Sequence, residues 1–228
     1  MAPFDSRPLY AFDSAQETDH GAYVVGIDEA GRGPLAGPVV AAAVVLDLND
    51  PISGINDSKK VAPKKREILY DEIAAKARAW AVASASPEEI DKYNILRATL
   101  LAMKRALDDI GHAWSIVLVD GNQYIASVPR TVQKPVIKGD GLSASIAAAS
   151  IMAKVTRDRI MAEYHKLYPE WDFHVHKGYP TARHRELIGK LGLCGIHRKS
   201  FCGKFLRTGQ NDINLGNNAS VREKQNTV

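Results

Sequence analysis

Cysteine is scarce in this chain: Cys194 and Cys202 are the only two among 228 residues. Two thiols make no disulfide framework, so a reducing compartment, the cytoplasm, is the expectation. Long apolar runs are missing as well. None approaches the roughly 20 residues that a bilayer-spanning helix requires, which excludes that class. The N-terminus holds Asp5, Asp13, Glu17 and Asp19 and lacks the apolar centre of a secretory signal. No internal repeat is present. Acidic residues run short in one place. From His174 to Arg207 the bases are Lys177, Arg183, Arg185, Lys190, Arg198, Lys199, Lys204 and Arg207, and Glu186 is the lone acid. With Tyr179, Phe201 and Phe205 interleaved, that stretch suits a polyanion, nucleic acid first.

What remains is ordinary for a globular protein: 45% hydrophobic, 25% charged, net charge +4. Residues 1–20 are polar and aperiodic and read as a flexible arm. Residues 21–208 read as one folded domain ending in a basic helical segment, and 209–228 as a disordered tail. Within the domain, Ala22–Asp28, Pro38–Leu46, Ala79–Ser84, Ser115–Asp120 and Pro135–Lys138 have strand patterns. Helices are expected from Pro63 to about Arg78, after the cap at Ser86, over Asn94–Ile110 and over Thr181–Leu191. A long helix is expected over Leu142–Leu167, with Ile146, Ala149, Ala153, Ile160, Tyr164 and Leu167 on one stripe and small residues, Ala147–Ser150, close against the sheet. The class is α/β.

The most informative segment is Gly26-Ile-Asp-Glu-Ala-Gly-Arg-Gly-Pro34. An apolar run leads into two adjacent carboxylates, Asp28 and Glu29, and then into a glycine-rich turn. Successive strand side chains point to opposite faces, so both acids are expected to serve one site through a bend in the chain there. Asp120 and Asp140 repeat the logic, each closing a strand-like run before a loop. In open α/β sheets ligand sites form beyond the carboxyl ends of strands. Four acids gathered there repel one another unless divalent cations intervene, and an all-oxygen set suits Mg²⁺ or Mn²⁺. Two such ions roughly 3.5–4 Å apart are a standard apparatus for phosphodiester hydrolysis. The acids alone leave open a phosphatase or transferase acting on a small phosphate ester. The basic segment alone leaves open a non-catalytic nucleic-acid-binding module.

Seven motifs, in order, resemble those of bacterial ribonuclease HII. They are Gly26–Pro34, Asp57-Ser-Lys-Lys60, Val119-Asp-Gly-Asn122, Lys138-Gly-Asp140, Ser145–Asp158, Lys177-Gly-Tyr-Pro-Thr181 and His197-Arg-Lys-Ser-Phe201. The resemblance spans about Val24 to about Phe205. It implies an RNase H-like α/β fold with a mixed central β-sheet flanked by helices, plus a C-terminal helical segment. It implies cleavage of RNA in RNA–DNA hybrids and 5′ of single ribonucleotides in duplex DNA, by two metal ions, leaving 3′-hydroxyl and 5′-phosphate ends. Asp28, Glu29, Asp120 and Asp140 match the metal-binding catalytic acids. Gly31, Arg32 and Gly33 match the turn that reads the 2′-hydroxyl, and Tyr179 the tyrosine that stacks on the next deoxyribose. Lys59, Lys60 and Lys138 are candidates for phosphate contacts.

No segment ahead of Val24 has room for the extra substrate-binding domain of ribonuclease HIII, which favours type HII. The expected partners are hybrid and ribonucleotide-containing duplexes, with no membrane and a monomeric chain. Cys194 and Cys202 with His174, His176 and His197 fit no ordinary zinc spacing and read as free thiols beside histidines. His165 and His184 read as surface residues on helices. Arg157 and Asp158 are either a structural pair or a support for the site.

Overall fold

A computed structural model describes residues 5–16, 23–111 and 114–206. Strand β1 (Val24–Ala30) pairs antiparallel with β2 (Val39–Val45), Gly26 opposite Val44 and Ala30 opposite Val40. β3 (Ala79–Ala85) extends the sheet antiparallel to β2. On the other side, β4 (Ile116–Asp120) runs parallel to β1 and β5 (Gln133–Val136) parallel to β4. The order is β3-β2-β1-β4-β5, the expected mixed sheet. Every residue of β2 is buried, which accounts for its unbroken valine and alanine run.

Helices cover both faces. α1 (Arg7–Ser14), α2 (Pro63–Lys76), α3 (Pro87–Tyr93) and α4 (Ile95–Asp109) precede the long α5 (Ala144–Leu167). Short α6 (Phe173–His176), α7 (Ala182–Leu191) and α8 (Lys199–Leu206) follow. On one face Ala147, Ala148, Ile151 and Met152 of α5 pack with Ala42 and Val44. On the other, Ala98, Ala102, Met103 and Ala106 of α4 pack with Ile27, Ala41 and Ala43. Gly26 allows α5 to lie this close: a Cβ there would stand 2.1 Å from the backbone carbon of Ser145. The cap at Ser86 forms as its sequence predicts. Its hydroxyl accepts from the Glu89 amide, and the Glu89 carboxylate accepts from the Ser86 amide. No described helix is long and apolar enough to cross a membrane.

Four expectations need correction. The described part of residues 1–20 is no loose arm, because α1 packs beside α5 and buries Leu9 and Tyr10 in the core. Its buried Asp13 accepts the Ser145 amide at 2.7 Å, capping α5, where the first turn leaves amides without helical partners. β5 ends at Val136 rather than Lys138, since Lys138 takes a left-handed conformation (φ 57°) and a 3₁₀ turn follows over Gly139–Gly141. α5 is buried all round in its first half, not along one stripe, and Leu167 at its end is 70% exposed. Nor does the chain bend at Asp28 and Glu29, whose pairing with β2 continues unbroken to Ala30. The expected tail, 209–228, lies outside the described residues.

Candidate active site

The two adjacent acids share one site for a reason that lies in the sheet. Pairing between β1 and β4 stops at Ile27–Val119, one residue before Asp28 and Asp120. Beyond that point the gap between two parallel strand ends is open. Asp28 approaches it from the α5 face and Glu29 from the other. Together with Asp120 they line a cleft of about 240 Å³, whose rim includes Gly31, Arg32, Gly33, Ser58, Lys59, Ser150, Lys154 and Tyr179. Asp140 reaches it through Lys59, whose Nζ lies 3.4 Å from Asp140 Oδ2. Asp120 Oδ1 accepts the Gly139 amide at 2.7 Å, which ties the turn carrying Asp140 to the end of β4.

Burial dominates the electrostatics. It pushes Asp28 well above the usual carboxylate range, and the charges of Glu29 and Asp120 push the same way. The Ser150 hydroxyl and the Glu29 amide oppose that rise only in part. Glu29 is raised by burial despite Arg32, whose Nη1 lies 3.4 Å from Glu29 Oε1. Asp140 is raised by burial, then by Asp120 and Asp57, with Lys59 opposing. The site therefore holds more negative charge than its protein partners neutralise. Among the described residues no three His, Cys, Asp or Glu side chains already stand as a metal cage. Asp28, Glu29 and Asp120 act on one another directly, and Asp140 joins them through Asp120 and Lys59. Their all-oxygen chemistry and unrelieved repulsion fit a hard divalent cation.

The turn after β1 is stitched into the molecule by two buried arginines. Arg198 donates from Nη2 to the Gly31 carbonyl (2.6 Å), from Nη1 to Arg32 (3.1 Å) and from Nε to Gly37 (2.9 Å). Arg157 donates from Nε to Pro38 (3.0 Å), from Nη1 to Lys177 (3.1 Å) and from Nη2 to Ala36 (3.2 Å). Glycine at 31 is required twice over: φ is 101°, and a Cβ would stand 2.1 Å from Arg157 Nε. Tyr179, 37% exposed, stands on the rim with Arg157 and Lys154 at 5.6 and 5.7 Å from its ring centre.

Comparison with known proteins places the chain. The family model for ribonuclease HII matches residues 25–204. A ribonuclease HII from Burkholderia vietnamiensis is 50% identical over 199 residues, covering 87% of this chain and 88% of that protein. The chain belongs to the ribonuclease HII family. Members of this family are metal-dependent ribonucleases of the H2 type that cleave the RNA strand of RNA–DNA hybrids. The ribonuclease H2 of Pyrococcus horikoshii superposes with a TM-score of 0.67 at 26% identity, over 83% of this chain and all of that one. Bst-RNase HIII in complex with Mn²⁺ shares the fold, with a TM-score of 0.70 at 18% identity over 89% of this chain and 74% of that one.

Of the lysines singled out as phosphate contacts, the cleft includes Lys59 alone. Lys60 is exposed beside Asp57 at 3.8 Å, and Lys138 is exposed on its left-handed turn. The basic C-terminal stretch is also less uniformly basic than it reads. Arg198 is fully buried, Arg183 pairs with Asp172 and Glu186, and Lys190 with Glu186. His184 is not a surface residue. It lies fully buried in a stack with His176 and within 3.1 Å of His197. Sequence reasoning assigns no role to Ser58, Ser150 or Lys154, and counts Arg198 only among the bases suited to a polyanion. Their signal is position: each sits inside a family motif, but a serine or arginine in a motif does not reveal which way it points.

Proposed function

We propose that this enzyme nicks duplex DNA on the 5′ side of single embedded ribonucleotides as well as cutting hybrids, leaving 3′-hydroxyl and 5′-phosphate ends. Such nicks would open ribonucleotide removal from DNA. The observation that supports this most is the juxtaposition of the acidic cleft with the Gly31–Gly33 turn and the exposed ring of Tyr179. A long hybrid needs no junction to be found, whereas one ribonucleotide in DNA must be placed in a single register.

In this reading Asp28, Glu29, Asp120 and Asp140 hold Mg²⁺ or Mn²⁺, two ions once substrate is present. When bound, the ions supply Lewis acidity, lowering the pKa of water and offsetting charge that builds on the phosphate. The chain's residues do the rest. Ser150 and the Glu29 amide fix the Asp28 carboxylate, and the Gly139 amide fixes Asp120. Lys59 and Lys154 offer ammonium groups on the rim for phosphate oxygens. The peptide units of Gly31, Arg32 and Gly33 approach the sugar closely, since glycine adds no side chain there, and meet the 2′-hydroxyl that separates RNA from DNA. Tyr179 stacks on the deoxyribose that follows. Lys60 and Lys138, outside the cleft, would meet only flanking backbone.

The test uses an end-labelled DNA duplex with one ribonucleotide, incubated with Mg²⁺, Mn²⁺ or chelator. A single metal-dependent cut on its 5′ side is expected. Cleavage of a long hybrid with none of this duplex would remove the junction reading and leave the ribonuclease in place.

A further inference from the structure

Arg157 and Arg198 are both fully buried, and the structure gives neither a carboxylate partner within ion-pair distance among the described residues. An uncompensated buried charge costs several kcal/mol, so buried arginines are ordinarily paired with acids. Here the compensation is six backbone carbonyls. Five belong to the Gly31–Pro38 turn and one to Lys177, two residues before Tyr179. Burial lowers both guanidinium pKa values, that of Arg198 to about 9 with the charge of Arg157 adding repulsion.

The geometry dictates where the turn's amides point. No peptide bond among the described residues is cis, and in a trans peptide the N–H points opposite to the C=O. Arg198 draws the carbonyls of Gly31 and Arg32 inward, so the N–H groups of Arg32 and Gly33 face outward, on the cleft those residues line. Neither amide donates to another described residue. The space above is open, since a Cβ on Gly33 would meet nothing within 4 Å. A cation on the carbonyl side also polarises each peptide and makes its N–H a stronger donor, because hydrogen bonds in a chain reinforce one another at low dielectric. By contrast, the amides of Leu35 and Gly37 are spent on Gly178 and Ile196, which lock the turn to the C-terminal segment.

The geometry points to Arg157 and Arg198 as positioning residues for ribonucleotide recognition: they hold the turn by its carbonyls so that the Arg32 and Gly33 amides meet a substrate oxygen, and Arg157 keeps Tyr179 in register with them. This rests on the proposed reading of the turn and of Tyr179. Neither arginine touches substrate. Lysine in either place keeps the charge but offers a point donor in place of a planar fork, so it cannot hold three carbonyls in fixed directions.

The experiment compares wild type with Arg198→Lys and Arg157→Lys on two substrates, a duplex with one ribonucleotide and a long hybrid. A long hybrid offers many productive registers and the single ribonucleotide only one. The expected result is a loss of about 100-fold in kcat/KM on the single ribonucleotide, the scale of an ångström's misplacement. Loss on the hybrid should be at least several-fold smaller. The rise in Tm on adding Mn²⁺ should stay at its wild-type size, because the acids are untouched. Equal losses on both substrates, or wild-type rates in both variants, would overturn the inference. Should both variants fail to fold, amide resonances of the intact protein decide. Arg32 and Gly33 N–H signals should shift on adding the ribonucleotide duplex with Ca²⁺ and stay put with the all-DNA duplex, and equal response to both is the contrary result. If wild type itself never cuts the single ribonucleotide, the proposed function falls first.

Discussion

Replacing Asp28 by asparagine should make the metal-free protein more stable while removing its activity. Asp28 is 4% exposed, and its carboxylate is raised by burial and by the charges of Glu29 and Asp120. Asparagine has nearly the same shape and keeps an oxygen to accept the Glu29 amide, now at 2.7 Å from Oδ1. What disappears is charge. Two carboxylates about 6 Å apart in a medium of effective dielectric about 20 repel by about 3 kcal/mol. Allowing for the Ser150 and Glu29 hydrogen bonds, which favour the charged form, a net gain of about 2 kcal/mol at pH 7.5 is expected. That corresponds to a rise in Tm of about 4–8 °C for a domain this size. The pH dependence has a definite sign. An acid whose folded pKa exceeds its unfolded value, here 3.8, destabilises the protein above the folded pKa and not below 3.8. The advantage of the variant should therefore shrink as pH falls toward 4. Thermal unfolding in chelator at pH 7.5, 6 and 4.5 measures it. With Mn²⁺ added, wild type should gain more in Tm than the variant, and cleavage by the variant should fall on the order of 10³-fold, the scale of a lost charge-stabilising group. A variant less stable than wild type at every pH, or equally more stable at all three, would refute the electrostatic account of this site.

Three further outcomes are expected. Gly26→Ala puts a methyl 2.1 Å from the α5 backbone, which cannot swing aside as a side chain can, so a loss of about 3 kcal/mol is expected by chemical denaturation; a loss below about 0.5 kcal/mol would contradict the packing described. His184 and His197 are buried neutral, each lowered from 6.5 to about 4 by desolvation, and each next by a neighbouring histidine. The unfolded chain takes up their protons first, so stability should drop as pH falls from 6.5 toward 4, by about 2–4 kcal/mol at pH 5 for the pair; a His184→Gln, His197→Gln protein retaining the same acid-side slope would count against them. Tyr179→Ala should leave Tm within about 2 °C, the ring being a third exposed, and cut kcat/KM on a single ribonucleotide by roughly 10–100-fold, the worth of one stacked aromatic; an unchanged rate would remove its stacking role.

Local chemistry written in consecutive residues is legible in the sequence alone. The apolar run ending in Asp28 and Glu29, the Ser86–Glu89 cap, the helical spacing of α4 and the small residues of α5 each declare themselves through a period or a neighbour. That Asp120 and Asp140 join the first two acids follows from strand-end logic and from the family's motif order. Three-dimensional coincidences are not legible. Asp13 capping α5 links residues 132 positions apart, and Arg198 holding Gly31 links residues 167 apart. No period or local motif encodes such pairs. His184 reads as a surface group because polar residues usually are; burial depends on what packs above it, here Phe173 and His176. The sequence alone determined the five strands to within a few residues, the longer helices, the acidic chemistry and the family. Only the tertiary structure decided that β1 and β4 part company one residue before their acids, and that two buried arginines hold the turn by its carbonyls. Those facts depend on register and on long-range contact, which a linear order of residue types does not contain.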